Sequence, residues 1–173
     1  MPRGEPIKLA KAIAAWDGKS AADIAAVFQS HCTEPHYVEN LIQLMGSSDS
    51  QKGASWLLKA WFDRGKSITD KQTSNILSRL SALESWEAKL HILQCFPFIS
   101  IKDNQKVVVE KFLRSTLSDN NKFVRAWSYN GFYVLAKQHA EYQEETQRFF
   151  AMAMKDESAS VKARIRNLMK TGF

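Results

Sequence analysis

Apolar residues recur along the chain at helical spacing. Val38, Leu41, Ile42 and Met45 occupy i, i+3, i+4 and i+7, one face of a helix. Ile76, Leu77 and Leu80 repeat part of that pattern, as do Val109, Phe112 and Leu113, and again Phe149, Phe150 and Ala153. The paired apolar positions Leu41-Ile42, Ile76-Leu77, Phe112-Leu113 and Phe149-Phe150 are separated by 35, 36 and 37 residues. Val38, Thr73, Val109 and Thr146 keep the same offsets, and so do Met45, Leu80, Thr116 and Ala153.

A second helical pattern follows each of these, over 51–61, 85–96, 121–132 and 158–169. In the same register Gly53, Ala88, Val124 and Val161 correspond. So do Leu57, Ile92, Ser128 and Ile165, and so do Trp61, Phe96, Phe132 and Met169. One set of offsets therefore fits both helices of a helix–turn–helix unit with a period near 36 residues. Periods of this size are the mark of stacked helical repeats, in which no unit can bury its apolar stripe alone. The segment 121–136 is apolar or aromatic on nearly every side, which suits a helix flanked by others. Asp119-Asn120-Asn121 and Lys155-Asp156-Glu157-Ser158 fall between paired helices, where N-caps belong. Gly46, Gly65 and Gly172 fall just past helical patterns, as C-terminal caps do. An Ala-rich pair over about 6–16 and 21–31 precedes the four units. Ser20-Ala21-Ala22-Asp23 reads as a capping box with Asp in place of Glu.

Val124-Arg125-Ala126 follows Asp119, and Val161-Lys162-Ala163 follows Asp156, each at the start of a second helix. That arrangement resembles the HEAT repeat, over roughly residues 34–172. Ala88-Lys89-Leu90 and Gly53-Ala54-Ser55 stand at the equivalent positions, the latter furthest from the pattern. The expected fold is all-α: a right-handed α-α superhelix, or solenoid, of four HEAT-like hairpins behind an N-terminal capping pair. It is expected as one domain over 1–173, with the capping pair at 6–31 and repeats at 34–65, 69–99, 103–138 and 141–172. HEAT and armadillo proteins are mostly scaffolds, so the resemblance implies a protein-binding role. A remoter likeness, to the HEAT-like DNA alkylation-repair glycosylases, implies a basic groove with Trp and Asp. Their constellation has no counterpart positions here, so no catalytic residue is carried over.

Composition changes this picture little. The 173 residues are 45% hydrophobic and 24% charged, an ordinary globular balance that excludes intrinsic disorder. No run approaches 18 uninterrupted apolar residues, and Lys8 and Lys11 interrupt the N-terminal one, so neither a membrane span nor a targeting segment is expected. Cys32 and Cys95 form no disulfide framework, and the expected location is the cytoplasm. Charge changes it more. The net charge is +6, distributed as −2 over 1–50, +3 over 51–100 and +5 over 101–173. A basic C-terminal half suits a polyanion, because Lys and Arg on phosphates release counterions.

The register also aligns candidate contact residues. Lys59, Gln94, Asn130 and Asn167 form a polar row, placed 140–160° from the apolar stripe. Its readings are a ligand-contact row or an amide ladder between units. Lys89, Arg125 and Lys162 form a basic row that Arg166 and Lys170 extend. Spaced cations suit phosphates, yet Arg125 beside Asp119 also suits a ladder tying units together. Trp56, His91, Trp127 and Arg164 share another position, where aromatics are more often core than stacking platforms. Tyr129 and Tyr133 lie one turn apart near Arg125. His31, Cys32 and His36 match no zinc spacing, and no cofactor or metal is expected.

The expected function is thus a non-catalytic scaffold binding a protein or peptide along its second helices. The candidate contacts are Arg125, Tyr129, Asn130, Tyr133, Lys162, Arg166, Asn167, Lys170, Lys59, Gln94 and Lys89. The alternative is a nucleic-acid-binding protein, such as a base-excision enzyme.

Overall fold

A computed structural model describes residues 5–172. It is all-helical, with ten α-helices, four short 3-10 turns and no strand among the described residues. An N-terminal pair, α1 (Glu5–Ala15) and α2 (Ala21–His31), precedes four further pairs. These are α3 (Tyr37–Leu44) with α4 (Gln51–Asp63), and α5 (Asp70–Leu77) with α6 (Trp86–Cys95). Then come α7 (Lys106–Leu117) with α8 (Lys122–Gln138), and α9 (Gln143–Asp156) with α10 (Ala159–Thr171). Among the described residues, no helix is long and apolar enough to cross a membrane. The chain divides between Cys95 and Phe96 into two compact units.

In the first unit, α4 packs on α6, α3 on α4 and α5, and α2 on α4. Ile24, Phe28, Leu41, Met45, Leu57, Leu58, Ile76 and Ile92 are fully buried at its centre. Thr69 opens α5 with a full capping box: its hydroxyl accepts from Gln72 N, and the Gln72 side chain accepts from Thr69 N. Ser20 makes only half of one. Its hydroxyl accepts from Asp23 N at 3.1 Å, while its own N–H donates to Asp17. Asp is too short to reach back a full turn, so the nearer Asp17 takes that donor. The buried Gln51 side chain accepts from Glu84 N and Ser85 N and donates to Ala82 O, fixing the turn that leads into α6.

In the second unit, α8 is the central helix. It packs against α7, α9 and α10, which explains its apolar circumference. Gly131 lets α7 approach, since a Cβ there would lie 2.3 Å from Leu113 Cδ2 and 3.2 Å from Phe96 Cδ2. Ala126, Tyr129, Phe150, Ala153, Val161 and Ile165 form the core shared by α8, α9 and α10. Asn121 caps α8, its side chain accepting from Phe123 N and Val124 N. Gly65 and Gly172 adopt left-handed φ values of 72° and 64° at helix ends, whereas Gly46 keeps a negative φ after α3.

Side-chain hydrogen bonds between elements recur at separations of 31 to 39 residues in both units. Equivalent helices of neighbouring pairs therefore touch at nearly equivalent positions. The spacing of these contacts brackets the 36-residue period of the sequence.

Candidate partner-binding surface

The second helices supply the candidate residues, and the structure divides them into spent and available groups. Arg125 is spent. Its guanidinium grips Glu157 through Nε at 2.8 Å and a second nitrogen at 3.1 Å, and its remaining arm donates to the Asp119 carbonyl. This hydrogen bond holds the Glu157 carboxyl below its ordinary range. Arg125 thus ties α8 to the turn before α10, and it reaches Asp119 through the main chain rather than the carboxylate.

Tyr129 and Asn130 are also spent, at 9% and 5% exposure. Tyr129 belongs to the core and meets Phe150 edge-on with centroids 6.4 Å apart. Both are candidate contacts by sequence, and reasoning from one apolar stripe leaves Asn130 open between a contact row and an amide ladder. That reasoning fails on α8, because this helix has neighbours on three sides and no single buried stripe. Tyr133 is half-buried, its hydroxyl donating to the Gly172 carbonyl and 2.9 Å from Thr171 Oγ1. Lys162 is half-buried and donates to the Lys155 carbonyl. Lys89 is half-buried on α6. Arg166, Asn167 and Lys170 are exposed on α10.

The same helix forms one wall of a groove. A cavity of about 310 Å³ opens between α9 and α10, lined by Tyr133, Gln147, Phe150, Ala151, Leu168 and Met169. The register explains why it is apolar. Met169 stands where Trp61, Phe96 and Phe132 stand in the other units; the last two are fully buried, while Met169 is 58% exposed. Met152 is similarly bare on α9. Around α10, Arg166 lies about 60° and Lys170 about 100° from Met169, both on the side away from Leu168. Lys137 lies at the other end, its ammonium 3.5 Å from the Gly172 carbonyl.

Lys59 and Gln94 come together elsewhere, across α4 and α6 in the first unit. They line a polar cavity of about 330 Å³ with Trp56 and His91. Lys59 pairs there with Asp63. The half-buried His91 ring meets Ser55 Oγ at 3.0 Å through Nδ1. The Ser55 hydroxyl also lies 3.0 Å from the Lys52 carbonyl, and the direction of its contact with Nδ1 follows the imidazole tautomer. Burial, reinforced by the Lys59 charge, pushes the His91 pKa down to about 4, and the imidazole is neutral at pH 7. Ser55 is fully buried, so this pair is not presented to a substrate.

The row Trp56, His91, Trp127 and Arg164 makes partners of register neighbours. Trp56 and His91 line one cavity, and the Arg164 guanidinium stacks 4.0 Å from the Trp127 ring centre. Among the described residues, one group has metal-ligand spacing: Asp103, His139 and Glu141. The Lys106 ammonium already stands between its carboxylates, 2.6 Å from Asp103 and 2.5 Å from Glu141. Sequence reasoning did not find this cluster: Asp103 and Glu141 lie in 3-10 turns and His139 in the link after α8, all outside the helical register. Compared with models of known families, with curated proteins and with solved structures, the chain matches none.

Proposed function

We propose that this chain is a non-catalytic HEAT-like repeat scaffold, an α-α solenoid, that binds a protein partner along its second helices. The partner segment is an acidic amphipathic helix. The observation that carries this reading is the groove between α9 and α10. Its floor is apolar, at Tyr133, Phe150, Leu168 and Met169; Lys137 lies at its Gly172 end, and α10, which forms one wall, also carries the exposed cations Arg166 and Lys170. Apolar anchors on one helix face would enter the groove, and acidic residues beside them would meet the rim. The repeat arrangement is supported by the period of 36 residues and by polar contacts of matching span.

The nucleic-acid reading draws on the same basic excess. It is weakened because several of those cations are committed within the fold. Lys52 pairs with Glu87, Lys106 with Asp103 and Glu141, Arg114 with Glu110 and Glu145, and Arg125 with Glu157.

The test is binding of a labelled helix-forming peptide with Leu at i, i+3, i+4 and i+7 and Glu on the flanks. Arg166→Glu with Lys170→Glu is expected to weaken it at least tenfold, and Met169→Asp by a similar factor. Unchanged affinity in both variants would exclude this groove.

A further inference from the structure

The polar cavity between α4 and α6 has a composition of its own. Lys59 and Arg64 bring two cations to it, and Asp63 brings one carboxylate, already paired with Lys59. Arg64 donates to the Ala60 carbonyl and lies 3.8 Å over the Phe28 ring. No salt bridge is formed by Arg64 among the described residues. His91 adds no charge at neutral pH. The walls therefore carry one uncompensated positive charge. Gln94 adds an amide, while Trp56 and Leu90 supply an apolar side. The volume, about 330 Å³, is at the small end for ligand sites, which suits one side chain better than a large ligand.

We propose that this cavity binds a carboxylate, the side chain of one Glu or Asp of an acidic peptide. Lys59 and Arg64 hold its oxygens, Gln94 donates to it, and Trp56 and Leu90 pack against its methylenes. The assignment deepens the peptide-binding reading and rests on it for the source of the carboxylate. A single negative charge neutralises the walls, whereas a phosphate near two charges would face repulsion from Asp63. A bound carboxylate competes with Asp63 for Lys59, so removing the Asp63 charge strengthens the site.

The experiment is a titration of the whole chain with doubly capped glutamate, N-acetyl-glutamate methylamide, followed by NMR at the Trp56 indole and the His91 imidazole. Saturable shifts are expected, with affinity at least fivefold weaker in Lys59→Met and about threefold tighter in Asp63→Asn. Capped glutamine is expected to give no saturable shift, and inorganic phosphate a weaker one than capped glutamate. Arg166→Glu with Lys170→Glu leaves this titration unchanged, which separates failure of this site from failure of the α9–α10 groove. Equal responses to capped glutamate and glutamine, tighter binding of phosphate, or indifference to both Lys59→Met and Asp63→Asn would overturn the proposal.

Discussion

The two units solve one packing problem with different chemistry. In the first, the α4–α6 seam carries neutral hydrogen bonds, between Ser55 and His91 and between Gln51 and the turn before α6. One ion pair, Lys52 with Glu87, lies at its edge. In the second, the α8–α10 seam is closed by a two-pronged Arg125–Glu157 pair and by Arg164 stacked on Trp127. Trp56 and Trp127 occupy the same register position, as do His91 and Arg164. One pair flanks an open polar cavity, while the other is stacked face to cation. A shared register thus decides which residues meet, and their chemistry decides whether the meeting leaves a site or closes one.

The largest break in this comparison is steric. Gly131→Val places a branched side chain where even a Cβ lies 2.3 Å from Leu113, and Phe96 stands behind. Overpacking of this kind is expected to cost the second unit about 3 kcal/mol, read by urea denaturation.

The next effect belongs to the first unit and comes from pH. The folded His91 pKa, about 4, lies below its ordinary 6.5. Between these values the unfolded chain binds more protons, so stability is full above pH 6.5 and falls with acidification. The loss is about 2 kcal/mol between pH 7 and pH 5, and His91→Gln removes it. The second unit responds later. The Glu110, Glu141 and Glu157 carboxyls are all held below the ordinary 4.5, Glu157 chiefly by Arg125 and Glu141 chiefly by Lys106. Their stabilisation is present above that value and is lost as pH falls through the lowered ones. Backbone hydrogen exchange at pH 7 and pH 5 is expected to show the first unit weakening while the second does not.

Arg125→Met removes the ion pair and leaves the half-buried Glu157 without its partner. The expected cost is about 2 kcal/mol, with the Glu157 pKa rising toward its ordinary value by NMR titration. The smallest effect is Arg164→Met, about 0.5–1 kcal/mol from loss of the Trp127 stack, read from the melting temperature.

The helices were legible because their cores repeat. Leu41-Ile42, Ile76-Leu77, Phe112-Leu113 and Phe149-Phe150 are buried or half-buried, and each lies in a first helix of its pair. Arg125 as a tie between neighbouring helix pairs was legible through its place in the row, although its acidic partner is Glu157, across the next turn. The burial of Tyr129 was not, and that of Asn130 was only one of two readings of its row. A helical wheel assigns one face to the core, and α8 has three neighbours. The α9–α10 groove was hidden for a related reason. Met169 carries the same apolar label as Phe132, and the label does not record whether another helix covers it. The polar cavity required His91, Lys59 and Arg64 to be placed across two helices at once.

The most direct test of the peptide-binding account is fluorescence anisotropy at two salt concentrations, with the acidic amphipathic peptide and with double- and single-stranded DNA and RNA. The account predicts peptide binding with modest salt dependence, abolished by Arg166→Glu with Lys170→Glu, and little affinity for nucleic acid at low salt. Micromolar nucleic-acid binding that collapses with salt, beside a peptide that does not bind, would contradict it.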